Sequence, residues 1–110
     1  MFELFQSENN EKFYFNLKAK NGQIIMSSQG YADKSGAKNG IESCKKNSTD
    51  DSKFERKTAK SGKFHFNLKA GNGQIIGSSQ MYASEAGMEN GIESVKKNAG
   101  GADVKDLTAE

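Results

Sequence analysis

The sequence predicts an α+β fold in which two copies of one unit share a single antiparallel sheet, with both helices on its apolar face. Three observations predict it. Phe13–Asn47 aligns without gaps with Phe64–Asn98 at an offset of 51, and 25 of the 35 positions are identical. Each copy opens with strict apolar–polar alternation and an Asn-Gly dipeptide, as a half-buried hairpin does. Each then continues with apolar residues at helical spacing.

In the strands FYFNLKA and FHFNLKA, Phe13, Phe15, Leu17 and Ala19 face one way, and Tyr14, Asn16 and Lys18 the other. Asn21-Gly22 and Asn72-Gly73 accept the positive φ angles of a two-residue turn. With that turn, Ala19 faces Ile24, Leu17 faces Met26 and Asn16 faces Ser27. Apolar then meets apolar and polar meets polar, a match that a one-residue slip would destroy.

The helices follow in DKSGAKNGIESCKKN and SEAGMENGIESVKKN. Asp33 and Ser84 are suitable N-caps, two lysines sit in each last turn, and Asn47 or Asn98 can close the end. Ala37, Ile41 and Cys44, like Met88, Ile92 and Val95, recur at i, i+4 and i+7. Gly36 and Gly40, like Gly87 and Gly91, each cost about 1 kcal/mol in a helix interior, and Asn39-Gly40 could instead be a turn, but the flanks lack strand alternation. The presence of these glycines implies that the helix lies close to the sheet. Upstream the offset becomes 52, with Phe2-Glu3 matching Phe54-Glu55, so a length change marks a surface loop before Lys63.

A unit of this size buries too little apolar surface to stand alone. Residues 1–110 are therefore expected to form one domain of two pseudo-symmetric repeats, 1–52 and 53–110.

Composition narrows the function without naming it. The chain has 110 residues, 34% of them hydrophobic, and a formal net charge of +2. Seven Phe and three Tyr argue against disorder. The charge is too small to name a partner. The single Cys44 excludes an internal disulfide. The start MFELFQSENNEK has neither a basic n-region nor an apolar h-region, so no signal peptide is expected, and no apolar run approaches the ~20 residues of a membrane span. A cytoplasmic protein is expected.

The ten mismatches between copies are informative. Cys44 is matched by Val95, which reads as a small core residue rather than a reactive thiol. His65 is matched by Tyr14 on the polar face, and no His/Cys cluster accompanies it, so no metal site is expected. Lys34 and Lys38 become Glu85 and Glu89, which reads as a solvated helix face. Met26 becomes Gly77, Gly30 becomes Met81 and Ala37 becomes Met88, which reads as two halves of a core filling space differently. Among the polar residues that stay identical, Asn16, Lys18, Ser27, Asn67, Lys69 and Ser78 form the candidate binding face. Turn chemistry and cross-strand polar pairs are the bland account of the same residues.

The doubled pattern F-x-F-N-L-K-A-x-N-G-Q-I-I-x-S-S-Q, then Y-A, then N-G-I-E-S-x-K-K-N, closely resembles the YegP-like family of small bacterial proteins. The resemblance covers nearly the whole chain. It implies tandem β-β-β-α-β units that assemble one sheet and exchange their C-terminal strands, here around Lys53–Thr58 and Ala102–Thr108. The family has no established activity, so no catalytic residue carries over.

The leading functional reading is a non-catalytic binding or interaction module, working through the polar sheet face on a protein or small-molecule partner. A monomer with internal pseudo-dimer symmetry is expected. The alternative is a weak nucleic-acid binder through the basic segment Arg56, Lys57, Lys60 and Lys63, near Phe54, Phe64 and His65. The small net charge disfavours it, and basic side chains commonly protect sheet edges. An enzyme is not expected. No nucleophile–base pair is evident, no cofactor motif appears, and Glu42 and Glu93 read as ion-pair partners of nearby helix lysines.

Overall fold

The computed structural model describes residues 1–108. Seven strands form one sheet: β1 (Phe2–Gln6), β2 (Phe13–Lys18), β3 (Ile24–Ser28), β4 (Phe54–Thr58), β5 (Phe64–Lys69), β6 (Ile75–Ser79) and β7 (Val104–Asp106). Their order across the sheet is β4-β5-β6-β3-β2-β1-β7. Helices α1 (Lys34–Asn47) and α2 (Glu85–Asn98) follow β3 and β6. The halves join at the centre, where Met26, Ser27 and Ser28 of β3 pair with Ser79, Ser78 and Gly77 of β6.

The core lies between the sheet and both helices. Phe2, Leu4, Phe15 and Leu17 from one half meet Phe54, Phe66, Leu68 and Ile76 from the other, under Ile41, Cys44, Ile92 and Val95. Each fully buried Phe, Leu or Ile contributes about 1.5–3 kcal/mol. The caps are as expected: the Asp33 carboxylate accepts from the Gly36 N–H at 2.7 Å, and the Ser84 hydroxyl from the Gly87 N–H at 3.0 Å. The helix ends differ. The Asn47 and Asn98 amides donate back to the Ser43 and Ser94 carbonyls, and the N–H groups of Ser48 and Ala99 close the helices on Cys44 and Val95.

The helix glycines sit where the chain comes closest to the sheet. Tyr31 is paired to Phe13 in a single bridge and stacks on Phe15 at 6.2 Å, with 16° between the rings. A β-carbon at Gly40 would run into the Tyr31 hydroxyl and stand 2.9 Å from the Phe15 ring. Tyr82, Phe66 and Gly91 repeat the arrangement.

Two details depart from the expected strand geometry. The turn is one residue wider: the Gly22 N–H donates to the Ala19 carbonyl and the Ala19 N–H to the Gln23 carbonyl, with Gly22 at φ +86°. Ala19 thus faces Gln23, not Ile24. A bulge between Leu17 and Lys18 absorbs the shift, so Leu17–Met26 and Asn16–Ser27 pair as the pattern predicts. Three-residue loops with a left-handed third position are a common hairpin solution.

The second departure is β7, which is parallel to β1, while every other neighbouring pair is antiparallel. Helix α1 delivers β4 to the place beside β5. The equivalent place beside β2 is already held by β1, so α2 delivers β7 one position further out. Its direction, set by the same kind of crossover, matches that of β1.

Some substitutions between repeats are also resolved. A β-carbon at Gly77 would lie 3.1 Å from the Met26 side chain, so Met26 occupies the room that Gly77 leaves. Ala37 and Met88 are both buried, but Met81 is 54% exposed and fills no core gap. Of the inverted helix charges, Lys38 and Glu85 are exposed as expected, but Lys34 and Glu89 are not merely solvated. Lys34 pairs with Asp106 of β7 at 2.6 Å, and Glu89 takes two hydrogen bonds from Arg56. Those contacts join distant segments, which no local pattern records. Among the described residues, no helix is long and apolar enough to cross a membrane.

Candidate functional site

On the face away from the helices, strand pairing lines up one transverse row through all seven strands. It runs Lys105–Glu3–Asn16–Ser27–Ser78–Asn67–Glu55, each residue opposite the next. Four of the six candidate residues are therefore consecutive in space. Their common face follows from the period-two alternation of each strand, and their alignment from the matched registers.

The other two candidates flank the row but are not free cations. Lys18 pairs with Glu3 at 3.0 Å, and Lys69 with Glu55 at 2.9 Å. The hydrogen bond from Lys69, then that from Asn67, holds the Glu55 carboxyl below the usual carboxylate range. Each lysine–glutamate pair is partly exposed, so both carboxylates of the row are neutralised, while exposed Lys105 stands at its β7 end.

The two halves of the row are used differently. In the second repeat the Ser78 hydroxyl donates to Asn67 Oδ1 at 2.6 Å, and Asn67 Nδ2 donates to Glu55 Oε1 at 3.1 Å. Asn67 is only 6% exposed, and its hydrogen-bonding capacity is largely spent inside the protein. In the first repeat Ser27 is exposed and Asn16 half-buried. Among the described residues, neither side chain has a hydrogen-bond partner in the protein. The bland account thus covers Asn67, while Asn16 and Ser27 remain available.

Several identical polar residues outside the row have structural duties. The Asn21 and Asn72 carboxamides accept from the Gln23 and Gln74 amides at 3.0 Å, which fixes the turns. The Ser28 and Ser79 hydroxyls accept from the Phe15 and Phe66 N–H groups at 2.9 Å, completing rungs beyond the hairpins. The residues of the row that the candidate set lacked are Lys105, Glu3 and Glu55, and the two glutamates were legible. Their match at an offset of 52 is visible in the sequence, and it was the available signal.

The basic segment is spread out. The Arg56 guanidinium is held by Glu89 and Asp51, which push its pKa above the ordinary value. Lys57 stands 3.8 Å from Glu55, while Lys60 and Lys63 lie exposed in the β4–β5 turn. Phe54 is buried, away from these lysines' face. His65 is half-buried on the polar face opposite Lys57. Cys44 is buried in the core, and burial pushes its thiol up to about 12. Glu42 and Glu93 make i,i+3 pairs with Lys45 and Lys96. Among the described residues, no group of three or more His, Cys, Asp and Glu is placed to hold a metal. The larger clefts lie beside the turns: one of ≈ 560 Å³ between the β2–β3 turn and α2, another of ≈ 740 Å³ between the β5–β6 turn and α1.

Fold and site together define a small α+β protein of two fused repeats, with a cross-strand row of polar residues on the sheet face away from the helices. The chain belongs to the family described as Domain of unknown function (DUF1508), which matches it twice, at residues 8–55 and 59–106. It is 55% identical over 106 residues to the UPF0339 protein in the ptx operon 5' region of Stutzerimonas stutzeri, covering 96% of this chain and 95% of that one. It is 52% identical over 107 residues to the UPF0339 protein YegP of Escherichia coli, covering 97% and 96%. The solution NMR structure of the Escherichia coli YegP protein superposes with a TM-score of 0.92 at 50% identity, covering 99% of this chain and 93% of that one. That of the UPF0339 protein from Shewanella oneidensis gives 0.91 at 50% identity, covering 96% and 89%. The α+β tandem-repeat fold and the family are those the doubled motif implies.

Proposed function

We propose that the chain is a non-catalytic binding module whose ligand docks on the polar sheet face, over Asn16, Ser27 and Ser78. The observation that supports this reading is the unequal use of one cross-strand row. Its second half is satisfied internally, whereas its first half offers an amide and a hydroxyl to solvent. Such groups, bracketed by neutralised Lys18–Glu3 and Lys69–Glu55 pairs, suit an uncharged ligand rich in hydroxyl or amide groups. Hydrogen bonds made at a solvent-exposed surface give modest net affinity, so the binding should be weak and rapidly reversible. The reading includes a cytoplasmic monomer that needs no cofactor.

An NMR titration with two unlabelled probe sets, neutral disaccharides and blocked dipeptides, tests it. Amide shifts at Asn16, Ser27 and Ser78 that saturate with one set, and that Asn16→Ala with Ser27→Ala removes, support the reading. Saturable shifts confined to the clefts beside the turns would move the site there. Absence of saturable shifts anywhere would leave the row a structural feature only.

A further inference from the structure

The outward edges of β1 and β4 are pseudo-equivalent, yet only that of β1 is covered along its length. β1 and β4 occupy matching places, with Phe2, Glu3 and Leu4 opposite Leu17, Asn16 and Phe15, and Phe54, Glu55 and Arg56 opposite Leu68, Asn67 and Phe66. β7 lies along the outer edge of β1, where the Phe2 N–H donates to the Asp103 carbonyl and the Leu107 N–H to the Leu4 carbonyl. Beside β4 the first rung is also filled, since the Phe54 N–H donates to the Asp51 carbonyl of a 3₁₀ turn, Asp51–Lys53. Beyond it the lane is open. Among the described residues, the outward backbone groups of Arg56 and Thr58 meet no partner. A cleft of ≈ 280 Å³ borders them, lined by Thr58, Phe64, Glu85, Met88 and Arg56, whose guanidinium charge is taken up by Glu89, also on the lining, and by Asp51.

The charge beside the two lanes is reversed. Along the filled lane, Lys34 of α1 pairs with Asp106 of β7 at 2.6 Å. The residue matching Lys34 beside the open lane is Glu85, which is exposed and makes no ion pair among the described residues. We infer that the open edge of β4 accepts an extended segment of another protein, parallel to β4, with Lys or Arg at the position corresponding to Asp106. Backbone bonds to Arg56 and Thr58 hold it as an added strand, and Glu85 selects the basic side chain.

A second copy is the wrong occupant. Its own β7 would set Asp106 against Glu85.

The test uses the full-length protein and two blocked pentapeptides. One, Val-Lys-Asp-Leu-Thr, copies Val104–Thr108; the other, Val-Lys-Lys-Leu-Thr, changes only the selecting residue. NMR titration at millimolar peptide should shift the amides of Arg56, Thr58 and Glu85. The lysine peptide should bind about fivefold tighter than the aspartate one, as expected for one exposed charge pair gained against one repelled. Glu85→Lys should reverse that preference. Thr58→Pro should abolish binding with the melting temperature little changed, because it removes an outward N–H and no inner rung. Should Thr58→Pro not fold, the Glu85→Lys reversal still decides. No shifts along β4, or a preference indifferent to Glu85→Lys, would overturn the proposal. So would line broadening along β4 that grows with protein concentration without peptide, which would make a second copy the occupant.

Discussion

The Tyr31 hydroxyl lies where the β-carbon of any residue but glycine would stand at position 40. Gly40→Val should therefore destabilise the protein by about 1–3 kcal/mol, the usual cost of overpacking. Valine has the better helix propensity, so a surface glycine would respond in the opposite direction. Gly91→Val should behave likewise against Tyr82. Urea unfolding curves check both. A stabilised variant would show that α1 is not packed closely on the sheet.

Asp106 fastens the last strand, and its dependence on pH is testable. Its hydrogen bonds with Lys34 and Thr108 hold the carboxyl well below its ordinary value of 3.8. A depressed carboxyl contributes stability that is fully present above its unfolded pKa and is lost as pH falls through the folded value. The Leu107 amide, bonded to the Leu4 carbonyl, should thus lose hydrogen-exchange protection below about pH 4 before the central strands do. Asp106→Asn should leave that amide weakly protected at neutral pH and remove the acid step.

Cys44 should be chemically silent in the folded state. With its thiol pushed up to about 12 by burial, it should resist alkylation at pH 8 and react only on unfolding. The raised pKa contributes stability that is present below the unfolded thiol's value and lost as pH rises through the folded one. Cys44→Val, which copies Val95, should cost less than about 1.5 kcal/mol and remove this alkaline dependence. Rapid labelling of native protein would contradict the buried placement.

Lys18 and Lys69 separate binding from stability on the polar face. Replacing both with Ala breaks partly exposed ion pairs with Glu3 and Glu55, and such pairs contribute little to folding. The melting temperature should hardly move. If the face binds a ligand, saturable shifts at Ser27 and Ser78 should weaken, because the row loses the cations that neutralise its carboxylates. Unchanged affinity would separate the site from the flanking pairs.

The repeats should unfold as one unit. Residues 53–110 alone lack β3, the neighbour of β6, and β1, the neighbour of β7. That fragment should be largely unfolded when dilute. It should gain structure only as concentration rises, when a second copy supplies the missing half. A fragment that melts cooperatively as a monomer, at a temperature independent of concentration, would mean two autonomous domains.

What the sequence determined by itself is local and periodic. Alternation placed Phe15 and Leu17 on one face and Asn16 on the other, because successive side chains of a strand must point opposite ways. Asp33 and Ser84 marked the helix starts because helix N-terminal amides need acceptors. Gly40 declared a close approach by being costly anywhere else in a helix. The duplication itself announced a shared sheet, since half the chain lacks the surface to bury. What only the tertiary structure decided depends on pairing between segments far apart in the chain. Lys18 and Lys69 look like matching free cations until Glu3 and Glu55 arrive on neighbouring strands. Asn16 and Asn67 are the same residue in the same motif, yet only Asn67 is enclosed and bonded, by Ser78 and Glu55. The parallel course of β7 follows from which place along the sheet was still vacant when α2 ended. Near-identical repeats encode identical local structure, but a single chain cannot give both copies the same neighbours. The asymmetry therefore lies in the contacts, not in the motif.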